Sequence, residues 1–77
     1  MMGQQGSTSA AAARAHAYAR KVTSTWTDDA PRGLTCVAHE VDMYAQAFYA
    51  CGWKATHRDV IRARAQQYVT LTFHRRA

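Results

Sequence analysis

The sequence predicts an α+β fold in which two helices pack on a small antiparallel sheet with a C-terminal hairpin or strand. Three observations carry this prediction: an alanine-rich segment of helical periodicity at residues 10–22, a second apolar stripe at residues 35–51, and alternating apolar and polar residues at 61–74. We expect residues 1–7 to be disordered and residues 8–77 to form a single small domain, because a chain of 77 residues has material for only one core.

The first predicted helix, residues 10–22, reads AAAARAHAYARKV. Alanine has the highest intrinsic helix propensity, and either Ser7 or Ser9 is a suitable N-cap. One face of this helix carries the residues that we expect to be buried, which are Ala11, Ala15, Tyr18 and Val22.

The second predicted helix follows a turn at residues 23–33, where two aspartates precede an Ala-Pro pair and a glycine. Gly52 comes directly after the apolar stripe and suits the left-handed position beyond a helix C-terminus. An alternative start near Glu40, with residues 34–38 extended, remains open. The predicted buried stripe consists of Val37, Val41, Tyr44, Ala45, Phe48 and Cys51.

Residues 57–67 allow two interpretations. They form either a helix that precedes a strand starting at Tyr68, or the first strand of a hairpin that turns near residues 66–68. The hairpin gives the cleaner alternation, and a three-residue loop would pair Ile61 with Phe73. The exposed face of such a hairpin would carry Arg62, Arg64, Gln66, Tyr68, Thr70, Thr72 and His74.

The charge of the chain is concentrated in its last third. Residues 1–53 contain four basic and four acidic residues, whereas residues 54–77 contain six basic residues and one acidic residue. The whole net charge of +5 therefore lies in the C-terminal segment. A one-sided basic surface attracts nucleic acid or an acidic protein surface.

We therefore expect a small non-enzymatic binding module whose basic C-terminal surface contacts nucleic acid or a nucleoprotein complex. Arginine supplies phosphate contacts and tyrosine stacks on bases. The candidate contact residues are Lys54, Arg58, Arg62, Arg64, Tyr68, His74, Arg75 and Arg76. If residues 56–67 were helical instead, they would resemble the recognition helix of a helix-turn-helix.

The alternative function is a protein-binding inhibitor or adaptor, such as a phage accessory protein that blocks a host enzyme or defence complex. Arginine and tyrosine are enriched at protein interfaces, so the same residues would serve it. A small core and an exposed sheet edge are also compatible with a homodimer.

The sequence argues against catalysis, a cofactor, a metal site or a membrane span. Cys36, His39, Cys51 and His57 are suitable zinc ligands in type, but a continuous helix over residues 36–51 would hold the cysteines about 22 Å apart. The same separation excludes a disulfide. Cys51, His57 and Asp59 lack a loop that would position a nucleophile. Two cysteines without a signal sequence lead us to expect a cytoplasmic protein with neither metal nor cofactor.

Overall fold

The computed structural model describes residues 2–76, and the side chains of residues 10–76. The elements, in chain order, are α1 (Met2–Thr23), β1 (Arg32–Val37), a 3-10 turn (Ala38–Glu40), α2 (Val41–Ala50), β2 (Trp53–Ala63) and β3 (Gln66–Arg75). The strands form one antiparallel sheet in the order β1-β3-β2, so β3 is central. The predicted α+β class, with two helices on a small antiparallel sheet, is confirmed.

Helix α1 contains the predicted alanine-rich segment and packs against α2. Ala15 and Ala19 are almost fully buried, and their small side chains allow the two helices to approach closely. The helix begins at Met2, before the expected cap at Ser7 or Ser9, and so includes residues that the sequence assigned to a disordered terminus. Extension of a nucleated helix costs little per residue. Met1 lies outside the described residues.

The second predicted helix divides into a strand and a shorter helix. A single helix over residues 35–51 is wrong, and the alternative with an extended segment before Glu40 is confirmed. Residues 32–37 adopt an extended conformation because they pair with β3 along their whole length. This pairing directs the side chains of Leu34 and Cys36 toward the core. Gly52 has a φ of 95° just after the C-cap, so its predicted left-handed role is also confirmed.

Four aromatic side chains form the centre of the core. Phe48 of α2 stacks on Phe73 of β3 with ring centroids 4.5 Å apart. Trp26, in the loop after α1, stacks on Phe48 at 5.4 Å and meets Trp53 edge-on at 4.9 Å. Such ring pairs contribute about 0.5–1.5 kcal/mol beyond the area they bury. The aromatic cluster therefore joins α2, the loop after α1 and the sheet.

Strands β2 and β3 form the predicted C-terminal hairpin, but their register differs from the prediction. A two-residue loop, Arg64 and Ala65, joins them, and Ile61 pairs with Tyr68 rather than with Phe73. The interpretation of residues 56–67 as a helix, and with it the helix-turn-helix, is wrong. Cross-strand hydrogen bonding accommodates this segment as a strand, so local helix signals do not decide its structure.

A bulge at Thr56 allows β2 to pair as the two-residue loop requires and still direct its first residues toward the core. Ala55 pairs with Phe73, whereas His57 pairs with Thr72, so Thr56 is the extra residue. The bulge exchanges the two faces of β2. It lets Trp53 and Ala55 face the helices, although the two-residue loop alone would turn them toward the outer face of the sheet.

The loop residue Arg64 has a φ of 58°, the left-handed region that arginine adopts at a cost of about 1–2 kcal/mol. We expect Arg64→Gly to raise the free energy of unfolding by about 0.5–1 kcal/mol, because glycine removes this strain but loses more chain entropy on folding. Urea denaturation followed by tryptophan fluorescence measures the change.

The matched control is Arg62→Gly, two residues earlier in the same hairpin. Arg62 pairs with Gln67 within the strand ladder, where glycine is unfavourable. We expect this variant to lose about 0.5–1 kcal/mol of stability. Equal effects of the two substitutions would contradict a strained loop at Arg64.

Candidate functional site

The end of the hairpin projects beyond the rest of the sheet. The third strand, β1, ends at Val37, which pairs with Tyr68, so residues 62–67 form a ribbon of only two strands. We call residues 62–67 the hairpin tip. All six residues of the tip are exposed. Two of them are arginines and none is acidic, so the tip has a net charge of +2.

A hollow of about 390 Å³ lies at the hairpin tip. Its lining consists of Arg62, Arg64, Ala65, Gln66 and Gln67. Guanidinium and amide groups supply several hydrogen-bond donors in a small space, and the lining contains no carboxylate to compete for them. The hollow therefore suits an anion or the edge of a polar ring better than a cation or an apolar ligand.

The sequence predicts one continuous basic face on the hairpin, and in the structure this face is not continuous. Arg62 pairs with Gln67 and therefore lies on the side of Val69, whereas Tyr68 lies on the opposite, outer side of the sheet. The physical reason is the loop length, because a two-residue loop pairs odd with even positions and a three-residue loop does not. Arg62 and Tyr68 consequently do not share one face.

The outer face of the sheet carries Lys54 and His74, which are paired neighbours, together with a polar centre. At this centre the hydroxyl groups of Thr35 and Thr70 are 3.0 Å apart and share a hydrogen bond across β1 and β3. Such threonine pairs stabilise a sheet that faces water. Lys54 and Asp59 are the formally charged strand residues on this face, so the outer face is close to neutral rather than basic.

Arg58 lies on the helix side of β2, with its guanidinium 3.8 Å from the carboxylate of Asp42. Both side chains are more than half exposed, so this ion pair contributes little to stability. Arg58 therefore remains available to an anionic ligand. Val60, with an exposed fraction of 60%, and Ile61, with 47%, follow it along the strand and add apolar surface beside the tip.

Arg75, a predicted contact residue, holds the loop between α1 and β1 against the sheet. Its Nε donates to Asp29 at 2.6 Å, and its Nη2 donates to the carbonyl oxygens of Trp26 and Asp28, each at 3.1 Å. The guanidinium also lies 4.7 Å from the ring centroid of Trp53. These contacts occupy most of its donors, so Arg75 acts in the fold.

Arg76 is also held by contacts within the chain. Its guanidinium lies 4.5 Å from the ring centroid of Tyr49, and its backbone N–H donates to the carbonyl oxygen of Gly52 at 2.7 Å. The structure thus divides the eight predicted contact residues. Arg75 and Arg76 are engaged at one end of the sheet, whereas Arg62 and Arg64 meet at the hairpin tip.

Sequence reasoning missed the ion pair between Arg32, the first residue of β1, and Asp28 in the loop before it. Arg32 donates to Asp28 at 2.7 Å and lies 5.7 Å from the ring centroid of Trp26. Its Nε is buried and has no hydrogen-bond partner among the described residues. The spacing of four residues between Asp28 and Arg32 was the signal in the sequence for this ion pair.

The cysteine and histidine residues do not assemble into a site. The helix that was expected to separate Cys36 from Cys51 does not exist, yet both cysteines are free thiols. No group of three or more His, Cys, Asp or Glu residues within the described part of the chain is arranged to hold a metal ion. His57 bonds to Asp59 at 3.1 Å, and both side chains are largely exposed.

Comparisons with protein-family models, curated proteins and solved structures find no match to this chain. Among the described helices, none has the length and apolar character needed to cross a membrane. The assignment of a function therefore depends on the geometry of the site.

We expect Arg75→Lys to lower the free energy of unfolding by about 1 kcal/mol, because lysine cannot reproduce the three hydrogen bonds and the planar contact with Trp53. Arg62→Lys, at the hairpin tip, is the matched control and should change stability by less than about 0.3 kcal/mol. Thermal and urea denaturation of both variants test this assignment. Equal stability of the two would show that Arg75 is not a structural residue.

Proposed function

We propose that this protein is a non-enzymatic module that binds nucleic acid through the hairpin tip. The observation that carries the proposal is the donor-rich hollow between Arg62, Arg64 and the two glutamines at the end of an exposed two-stranded ribbon. Phosphate oxygens and base edges both accept hydrogen bonds from such groups.

The dimensions of the ribbon support this proposal. A two-stranded β-ribbon fits the major groove of DNA, which is about 12 Å wide. From Lys54 to Arg64, β2 and its loop cover about 30 Å at roughly 3.3 Å per residue. Arg58 lies about 20 Å from Arg64 on the helix side of β2, and Lys54 lies further away on the outer side, so the contacts within the groove come from the tip itself.

The charge of β2 and the hairpin tip also supports the proposal. Lys54, Arg58, Arg62 and Arg64 are all exposed, and Asp59 is the one acidic residue between positions 54 and 67. The carboxylate of Asp59 already accepts a hydrogen bond from the His57 ring at 3.1 Å. The field along β2 is therefore positive, which accelerates encounter with a polyanion.

The test compares two double variants that remove equal charge. Arg62→Gln/Arg64→Gln changes the hairpin tip, and Arg14→Gln/Arg20→Gln changes two exposed arginines of α1. Each variant lowers the net charge from +5 to +3. Fluorescence anisotropy with labelled double-stranded DNA, single-stranded DNA and hairpin RNA measures affinity over about 50–200 mM salt.

We expect the tip variant to weaken binding at least tenfold and to reduce the slope of log K against log salt by about 2, because two phosphate contacts are lost. The α1 variant should change the slope by much less. Equal effects of the two variants would mean that only net charge matters, and absence of wild-type binding at low salt would reject the proposal.

Binding to an acidic protein surface is the second candidate function. A groove of about 420 Å³ between α2 and the free edge of β2 favours it, since Ala45, Tyr49, Ala50 and Ala55 give the groove an apolar lining. Lys54 and Arg58 border the same groove. Substitution of Tyr49 would abolish binding of a peptide partner in this groove, whereas binding of nucleic acid at the hairpin tip would persist.

A further inference from the structure

A second cleft, of about 440 Å³, lies between the two helices and β1. Its lining includes Tyr18 of α1, Tyr44 of α2, Tyr68 of β3, Glu40 of the 3-10 turn, Leu34 and Cys36. This volume is within the range of small-ligand sites. The cleft shares no residue with the hairpin tip, and the function proposed above does not use it.

The tyrosine rings give the cleft two walls that meet at a steep angle. The rings of Tyr18 and Tyr44 have centroids 6.1 Å apart and planes inclined by 76°. Tyr68 of the neighbouring strand β3 borders the cleft from the outer side of the sheet. Aromatic rings placed at an angle around a small space are the arrangement that proteins use to recognise quaternary ammonium groups.

The charge of the cleft is opposite to that of the chain. Glu40 is the one formally charged residue in its lining. Within residues 10–76, its carboxylate has neither an ion-pair partner nor a side-chain hydrogen bond. Burial raises the pKa of the Tyr44 hydroxyl, and Glu40 raises it further, as expected when a carboxylate faces that group. The pKa of the Cys36 thiol is raised by the same two causes.

The chemistry of the lining narrows the class of ligand. An anion would meet the carboxylate of Glu40 without a compensating cation in the lining. A bare metal ion requires several oxygen ligands, which a single carboxylate does not supply. A methylated ammonium needs aromatic or apolar contact and a nearby negative charge, which the tyrosine rings and Glu40 supply.

We propose that this cleft binds a methylated, preferably quaternary, ammonium group, with the rings of Tyr18 and Tyr44 beside the cation and Glu40 as its counter-charge. A choline-like small molecule and a trimethyllysine side chain both present this trimethylammonium group.

Arg14 modulates the site. It lies one helical turn before Tyr18 on α1, and its positive charge lowers the pKa of Tyr44, in opposition to Glu40. A cation in the cleft therefore experiences repulsion from Arg14. Removal of that charge in Arg14→Gln should tighten cation binding by about twofold to fivefold, whereas loss of the carboxylate in Glu40→Gln should weaken it.

The test is an NMR titration of amide resonances with choline and with its neutral isostere 3,3-dimethylbutanol. We expect choline to shift the amides of residues 34–44 saturably and to bind about tenfold more tightly than the isostere. Glu40→Gln should reduce this preference, while Tyr44→Phe, which keeps the ring, should retain it. Dispersed amide spectra establish that each variant is folded.

A peptide with trimethyllysine, compared with its unmethylated form, distinguishes the two sources of the cation. Tighter binding of the methylated peptide than of choline would assign the site to a modified protein, and the reverse order would assign it to a small molecule. Equal binding of choline and the isostere would overturn the proposal. Absence of a saturable shift with every probe at tens of millimolar would overturn it as well.

Discussion

The contact between Phe48 and Phe73 holds the two layers of this protein together. Its rings stack at a centroid distance of 4.5 Å, and both side chains are fully buried. A chain with two phenylalanines and few large aliphatic residues has little other material for a core. Trp26 and Trp53 extend this contact to the loop after α1 and to β2, so α2, this loop and both strands of the hairpin meet in one aromatic cluster.

The aromatic cluster also explains the shape of the hairpin. Trp53 must face the helices at one end of β2, while a two-residue loop fixes the pairing at the other end. The bulge at Thr56 satisfies both requirements, because it exchanges the faces of the strand between them. Arg58, Val60 and Arg62 therefore lie on the helix side of the sheet, and all three side chains are exposed there.

The basic residues of the last third divide by their contacts. Arg75 and Arg76 meet aromatic rings and loop carbonyls close to the core, whereas Arg62 and Arg64 extend from the ribbon without such contacts among the described residues. A guanidinium whose donors are already used adds stability, and one whose donors are free can bind a ligand. The hairpin tip is therefore the place where the arginines of the last third have donors free for a ligand.

The sequence by itself determined the α+β class, the alanine-rich helix, the left-handed Gly52 and the extended segment over residues 68–74, because each follows from local propensity or short-range periodicity. Tertiary structure decided that residues 32–37 form a strand, since β3 supplies their hydrogen-bond partners. It also decided that Arg62 and Tyr68 lie on opposite faces of the sheet. Alternation along one strand cannot reveal the length of the loop or the bulge, and these two features set which side chains meet.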